Sequence, residues 1–426
     1  MFWFIFFTLF IGFVLWLLLR YDPGKTAGVY SRPTPFYPIK YALMKFVIAR
    51  RQKKALASQQ VEKSDGELVT GEFGGNKRNI EEMERKTKLP NDKPRAGDCV
   101  FFNASNANGW WLTLGMAQRP NDVINLFFTL KVPGLGTFVN EELPHTSNVK
   151  AIPSDSEYLT ESGFRVKCIE PMRKWQISFE GNLVPAQASQ PDITKTGPST
   201  TQDPAIKPIT SHFELEWTNY GEYFDFDTEI SPEIIARSLA LEPWSKQLFE
   251  TLKATHQTHY EHFGKLSGIF GIDEFQTPEK VEMMSMRDHT ITSYRNWSQI
   301  RRYIIITYHL DDGTCISTTL VSMPETVFSQ LQFGYVVTPS LEKIPVDSID
   351  IKLANFGENK KFPKKFNYSF RAGSKTYDVR VEVRDLVRFK MGLDEACYVE
   401  ENMCEFWVND VKGYGFTEVE YRIEPY

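Results

Sequence analysis

Apolar residues recur at every second position through most of the chain after Cys99, in short runs broken by turn signals. Arg173 to Gly181 alternates through Trp175, Ile177 and Phe179, and His212 to Trp217 alternates through Phe213, Leu215 and Trp217. A period of two sends one set of side chains to a core face and the other to water, which is the pattern of antiparallel sheet. Arg302 to His309, the turn Asp311-Asp312-Gly313 and Thr314 to Met323 read as a hairpin. Tyr368 to Ala372, Gly373-Ser374 and Thr376 to Arg384 read as another. Asn125 to Val132, Gly163 to Ile169, Met403 to Asn409 and Glu418 to Ile423 add further strands. The 32 Phe, 18 Tyr and 9 Trp favour strands and apolar interiors over helical bundles. There is no alternation of strand and helix and no glycine-rich phosphate loop, so closed antiparallel barrels are the expected architecture. At 426 residues two such bodies are expected.

One helical stretch interrupts the strands. Ser231 caps it, Pro232 takes its first position, and Ile234, Ile235, Leu239, Leu241, Trp244, Leu248, Phe249 and Leu252 form its apolar face. Ala186 to Pro208 is rich in Ser, Thr, Pro and Gln and reads as a mobile insertion. Gln59 to Arg95 is polar and poor in aromatics, a linker with some helix.

At the other extreme, Met1 to Leu19 contains no charge and is just long enough to span a bilayer core. Trp3 and Trp16 lie near its ends, where interfacial aromatics sit. From Arg20 to Lys54 nine basic residues face Asp22 alone, a local charge of +8; the whole chain is −5, so the remainder carries −13. Positive charge flanking only the C-terminal side of the apolar run places the body in the cytoplasm. Tyr37 to Ala57 reads as a basic amphipathic helix lying on anionic headgroups, with Leu43, Met44, Phe46, Val47 and Ile48 apolar and Arg50 to Lys54 charged. An acidic body excludes nucleic acid as a partner. Five widely spaced cysteines (Cys99, Cys168, Cys315, Cys397 and Cys404) make neither a disulfide framework nor a zinc site.

The run Cys168-Ile-Glu-Pro-Met-Arg-Lys-Trp-Gln-Ile-Ser-Phe-Glu-Gly181, with Phe224-Asp-Phe-Asp227, Glu242-Pro-Trp-Ser245, His256-Gln-Thr-His-Tyr-Glu261 and Arg287-Asp-His289, resembles a region of invertebrate proteins. In some of those it precedes a phosphoenolpyruvate-synthase-like module. The tail from Phe406 to Gly415 and Glu418 to Arg422 fits the same pattern, and the likeness covers most of Phe101 to Arg422. More distantly, Asp288-His289-Thr-Ile-Thr-Ser-Tyr-Arg295-Asn-Trp297 is similar to the mark of tandem lipocalin-like proteins, among them AttH proteins and carotenoid hydratases. Those relatives have a glycine after the Ser-aromatic pair and Asp before Trp, where this chain has Asn296, and Thr292 stands as an extra residue. The resemblance implies tandem lipocalin-like barrels, and with the helical stretch and the apolar N-terminal run the expected fold is mainly β: two tandem lipocalin-like antiparallel β-barrels with one helical insertion, preceded by an N-terminal transmembrane helix. The expected divisions are an anchor at 1–20, a juxtamembrane helix at 21–58, a linker at 59–95, a first barrel at 96–268 and a second at 269–426.

Candidate site residues follow from both readings. Asp288 and His289 are a possible general acid–base pair at a barrel mouth, since imidazole titrates near working pH, with Tyr294, Arg295 and Trp297 lining the pocket. The plainer alternative is structural, with both groups satisfying turn amides. Trp110, Trp111, Trp175, Phe179 and Trp217 either wall an apolar cavity or fill a core. His256, His259 and His262 at a spacing of three, with Glu261, suggest a two-histidine face on a helix, but a third ligand swings off it and no metal or other cofactor is expected. No nucleophile elbow, Walker lysine or dinucleotide fingerprint is present. The leading expectation is membrane-tethered binding of a hydrophobic small molecule, a lipid or isoprenoid. A hydratase or isomerase using His289 and Asp288, or a non-catalytic partner of a phosphotransferase, are the alternatives.

Overall fold

The computed structural model describes residues 21–57, 78–143, 145–186, 208–273 and 277–423, with six positions among the first thirteen. Among the described residues no helix is long and apolar enough to cross a membrane, and most of the expected anchor lies outside them. The expected insertion at Ala186 to Pro208 and the first part of the linker also lie largely outside them.

The chain opens with a small hairpin, β1 (Lys25–Thr26) and β2 (Tyr30–Ser31), then helices α1 (Tyr37–Ala57) and α2 (Ile80–Glu84). Next come β3 (Gly97–Ser105), β4 (Trp111–Arg119), β5 (Val123–Val132), β6 (Gly136–Asn140), β7 (Asn148–Lys150), β8 (Glu157–Leu159), β9 (Phe164–Glu170), β10 (Lys174–Pro185), β11 (Ile209–Asn219) and β12 (Phe224–Asp225). Helices α3 (Pro232–Leu241) and α4 (Lys246–Ala254) precede β13 (Gln257–Ile272) and β14 (Glu279–Thr292). The second half is all strand: β15 (Arg302–Leu310), β16 (Cys315–Met323), β17 (Phe328–Val337), β18 (Lys343–Ile349), β19 (Lys365–Ala372), β20 (Lys375–Met391), β21 (Cys397–Val408) and β22 (Val411–Arg422).

Hydrogen bonding closes two antiparallel barrels of eight strands. The first runs β3-β4-β5-β6-β10-β11-β13-β14 and returns to β3; the second runs in chain order from β15 to β22 and closes on itself. The expected boundary at 268/269 therefore falls inside β13, and β14, with Asp288 and His289, completes the first barrel. A turn-free alternation looks the same on either side of a boundary; only the pairing partner decides it. Both expected hairpins form, with Gly313 and Gly373 in the left-handed region that their tight turns need.

Register explains the cores. Trp175 faces Trp217, Ile177 faces Leu215 and Phe179 faces Phe213 across β10 and β11, so the alternating residues stack on one face. Phe128, Phe164, Phe179 and Phe213 interlock in the first lumen, with Phe164 and Phe179 ring centroids 4.2 Å apart. Phe179 is thus packed core. Gly264 passes under the Trp217 indole, where a Cβ would lie 2.3 Å from the ring. In the second barrel Tyr308 stacks on Phe406 at 4.1 Å and Phe370 on Tyr377 at 4.7 Å.

The single expected helix is two helices. Pro243 ends the first, as a proline must when its ring meets the preceding turn, and Ser245 caps the second by accepting from Leu248 N. Ser231 donates to Asp347 instead of capping α3. Although the helices lie between strands of the first barrel in sequence, α3 packs on β17 and β18 of the second. Ile48, Gln52 and Ala55 of α1 are buried, and α1 packs along α3, where Lys45 pairs with Glu233 at 2.5 Å and Gln52 donates to Ile230 O.

Candidate functional site

Neighbours on a strand point to opposite faces, and on β14 this splits the expected acid–base pair. Arg287 and His289 enter the first lumen with Tyr260 and His262 of β13, all buried. Asp288 turns outward with His259 and Glu261, toward β22 of the second barrel. Asp288 and His289 consequently belong to two sites, back to back on one sheet. The three histidines also diverge, because His259 and His262 stand on a strand rather than a helix and His256 lies just before it. His256 meets Asp227 at 2.8 Å, His259 faces outward and His262 lies edge-on to Trp217 in the lumen. Among the described residues no group of three His, Cys, Asp or Glu side chains is placed to hold a metal.

The luminal site is a chain of polar groups in an aromatic shell. Arg287 pairs with Glu84 at 2.6 Å, and its guanidinium lies between the rings of Trp175 (5.1 Å) and Trp217 (4.7 Å). Tyr260 Oη donates to Glu84 and lies 3.0 Å from His289 Nδ1. His289 Nε2 is 2.6 Å from Asp98 Oδ1, which also accepts from Tyr158 at 2.7 Å. Burial opposes ionisation of Glu84, but Arg287, then His289 and the hydrogen bonds from Tyr260 and Trp175, outweigh it and hold the carboxyl at about 2. Burial and the Arg287 charge together push His262 down to about 3, so it is neutral. Every member is sealed from solvent, and this site is a structural network as it stands.

The outward site is different in kind. Burial, with Glu261 and Glu418 nearby, lifts Asp288 to about 6 against the opposing pull of His259. His259 is itself raised: burial works against its charge, and Glu261 and Asp288 prevail. Thr290 Oγ1 links the two, 2.8 Å from His259 Nδ1 and 3.3 Å from Asp288 Oδ1. From the second barrel, Tyr303 Oη donates to Glu418, and Glu418 is raised by burial. Glu401 lies against it and is raised well above the carboxylate range by burial and then by Glu418. Neither oxygen of Glu401 meets a donor group, so a proton shared with Glu418 is what would satisfy it. Asp288, His259 and Glu418 keep part of their surface open, a quarter of the side chain for His259, although each is desolvated. Partly open yet desolvated, these groups line the seam where the two barrels meet, and that seam is the candidate crevice. Phe101 stands beside Asp288 in the register, half-buried.

Arg295 and Trp297 belong to this crevice. The guanidinium stacks on the Trp297 ring at 5.0 Å, its charge acts on His259 and Glu418, and its buried Nε meets no acceptor. Tyr294 is exposed and stands apart. Trp175 and Trp217 wall the luminal network; Trp110 packs on Phe270 at 5.2 Å in the core of the same barrel. Trp111 faces outward onto Met403, Tyr414 and Phe416 of the second barrel. The structure thus brings Asp288, Arg295 and Trp297 to one place and His289, Trp175 and Trp217 to another. Glu84, Asp98, Tyr260, Arg287, Glu401 and Glu418 are new. Glu418 is visible in sequence only as a charge inside a strand; Glu84 lies in a segment whose composition speaks for a linker.

No curated protein matches the chain in sequence. Among solved structures, a Nitrosomonas europaea protein assigned to AttH has 10% identity, covers 78% of this chain and 96% of its own, and has a TM-score of 0.47. Kievitone hydratase from Nectria haematococca has 10% identity over 83% of this chain and 98% of its own, with a TM-score of 0.43. CghA bound to Sch210972 has 8% identity over 85% and 96%, with a TM-score of 0.40. The family model that matches runs over residues 5–420, so the chain belongs to the family of unknown function DUF8627.

Proposed function

We propose that the crevice between the barrels binds an apolar small molecule and that Asp288 moves a proton on it, in a hydration, dehydration or double-bond isomerisation. The observation that supports this most is the company Asp288 keeps. A partly open carboxyl that changes charge near pH 6 stands with His259 and Thr290 on its own sheet and faces Glu418, Tyr303 and Arg295 from elsewhere in the chain. General acid–base work needs a group poised near ambient pH in a place that water only partly fills. Phe101 and the Trp297 ring offer the apolar surface, and the Arg295 Nε offers a donor to an oxygen on the ligand. His289 has no part in this chemistry, since its ring is on the far side of the sheet. The test is to incubate full-length protein with a lipid and isoprenoid extract and compare wild type with Asp288→Asn by mass spectrometry. Wild type should convert a species to one differing by a water, or to an isomer, and the variant should bind it unchanged. Identical extracts that retain no small molecule on either protein would overturn the proposal.

Membrane attachment belongs to the same reading, and α1 supports it. With Ile48, Gln52 and Ala55 turned inward, Ile39, Leu43 and Phe46 are left 67%, 50% and 61% exposed at i, i+4 and i+7, followed by Arg50, Arg51, Lys53 and Lys54. An apolar stripe beside a basic cluster suits the surface of an anionic bilayer, which the uncharged run before Arg20 would enter. Full-length protein should float with vesicles containing phosphatidylserine, and Phe46→Asp should weaken that flotation. Equal flotation with neutral vesicles and no effect of the substitution would argue against a role for this helix.

A further inference from the structure

Five donors converge on the two oxygens of the Glu84 carboxylate, the weakest of them the Cys168 thiol of β9, 3.8 Å from Oε2. Arg287 Nη2 donates to Oε1 at 2.6 Å and Tyr260 Oη to the same atom; Trp175 Nε1 donates to Oε2 at 2.7 Å and Met172 N at 3.0 Å. The donors belong to the barrel: Trp175 is on β10, Tyr260 on β13, Arg287 on β14, and Met172 in the turn before β10. Glu84 does not. It ends the five-residue α2, on a strap in which residues 79–96 contribute no strand. One part of the chain builds a carboxylate receptor, and another part, outside the barrel wall, supplies the carboxylate.

We propose that the first barrel is a receptor for an apolar carboxylic acid and that Glu84 occupies it as an internal stand-in. The walls set the ligand class. Trp175, Trp217 and Tyr260 surround the guanidinium with rings at 5.1, 4.7 and 5.6 Å, and Met83 and Met172 complete the shell, so the group behind the carboxylate is apolar. Arg287 Nε and Nη1 have no acceptor even with Glu84 in place, so two donors remain for a second oxygen. A hollow of about 210 Å³ opens where the strap crosses the barrel end, at Lys86 and Thr87, facing Ser154 and Asp155. Withdrawing the strap alone would leave a buried cation unpaired, which is strongly unfavourable. An arriving carboxylate removes that cost, so the strap leaves by exchange. This receptor lies on the opposite face of β14 from the Asp288 crevice, and its failure would leave the proposal made for the crevice standing.

The test uses the full-length protein with Glu84→Ala, and acetate and butyrate as probes against chloride at equal ionic strength. Butyrate should raise the Tm of the variant on the order of 1–2 °C for each tenfold excess over its dissociation constant. Acetate should do less, and wild type, in which butyrate must displace Glu84, should need a higher butyrate concentration than the variant for the same shift. A variant that responds equally to butyrate and chloride would overturn the proposal. Should Glu84→Ala not fold, Glu84→Gln keeps the strap side chain and removes only its charge, and the same comparison decides the matter.

Discussion

Replacing Asp288 by Asn should stabilise the protein at neutral pH, the reverse of what removing a buried charged contact ordinarily does. The carboxyl is raised from 3.8 to about 6 because burial and the nearby Glu261 and Glu418 disfavour its charge. A folded-state pKa above the unfolded one means that the native protein holds this proton more tightly. The cost of ionisation is therefore absent below pH 3.8, grows as pH rises, and is complete above about 6. Each tenfold gain in proton affinity is worth about 1.4 kcal/mol, so the rise corresponds to a cost of about 3 kcal/mol at pH 8, and about half of that at pH 5. Asparagine cannot ionise and escapes the cost at every pH. Urea unfolding of both proteins at pH 5 and pH 8 should show the variant ahead at both, by on the order of 3 kcal/mol at pH 8 and roughly half of that at pH 5. Water reaching the crevice through its open side makes these values upper limits. A variant less stable than wild type at pH 8, or a gap that does not change between the two pH values, would refute the reasoning.

Arg287→Met leaves Glu84 buried without a counter-charge and should cost about 3–5 kcal/mol by urea unfolding. Since Glu84 is held at about 2 rather than 4.5, wild type should also lose stability as pH falls from 4.5 toward 2, and circular dichroism across that window should show this loss vanish in the variant. Trp175→Phe removes the 2.7 Å hydrogen bond to a buried carboxylate, with an expected loss of about 1.5–3 kcal/mol; an unchanged midpoint would mean that the bond contributes nothing net. Gly264→Ala puts a methyl 2.3 Å from the Trp217 ring and 2.5 Å from the Thr218 carbonyl, so about 1–3 kcal/mol of overpacking should appear, and a change within about 0.5 kcal/mol would show that β13 can give way.

The β architecture is legible because alternation at Trp175, Ile177 and Phe179 admits only one geometry. What alternation does not encode is the partner of a strand, so β14 reads as part of the wrong barrel. The helix is legible as a helix, but Pro243 and Ser245 mark a stop and a start that an unbroken apolar pattern conceals. Asp288 and His289 look like a pair because they are adjacent in sequence, and on a strand adjacent side chains point to opposite faces. Glu84 is hidden for a different reason. Its environment is set wholly by residues such as Arg287 and Trp175, far along the chain, while its own neighbours, Glu81, Glu82 and Arg85, speak only for solvent.

That same alternation ties the two sites together. Arg287 and His289 hold β14 from inside through Glu84 and Asp98, and Asp288, between them, carries the outward carboxyl. Any displacement of Glu84 that lets Arg287 move also shifts the backbone on which Asp288 is mounted, through one covalent link on either side. Filling the lumen with an exogenous acid would therefore be felt across a single sheet thickness, without any change in the second barrel. The apparent pKa of Asp288 in wild type and in Glu84→Ala, read from the pH dependence of stability, measures that link. If the two values coincide while butyrate still binds the variant, the lumen and the crevice are independent, and β14 is a partition and not a lever.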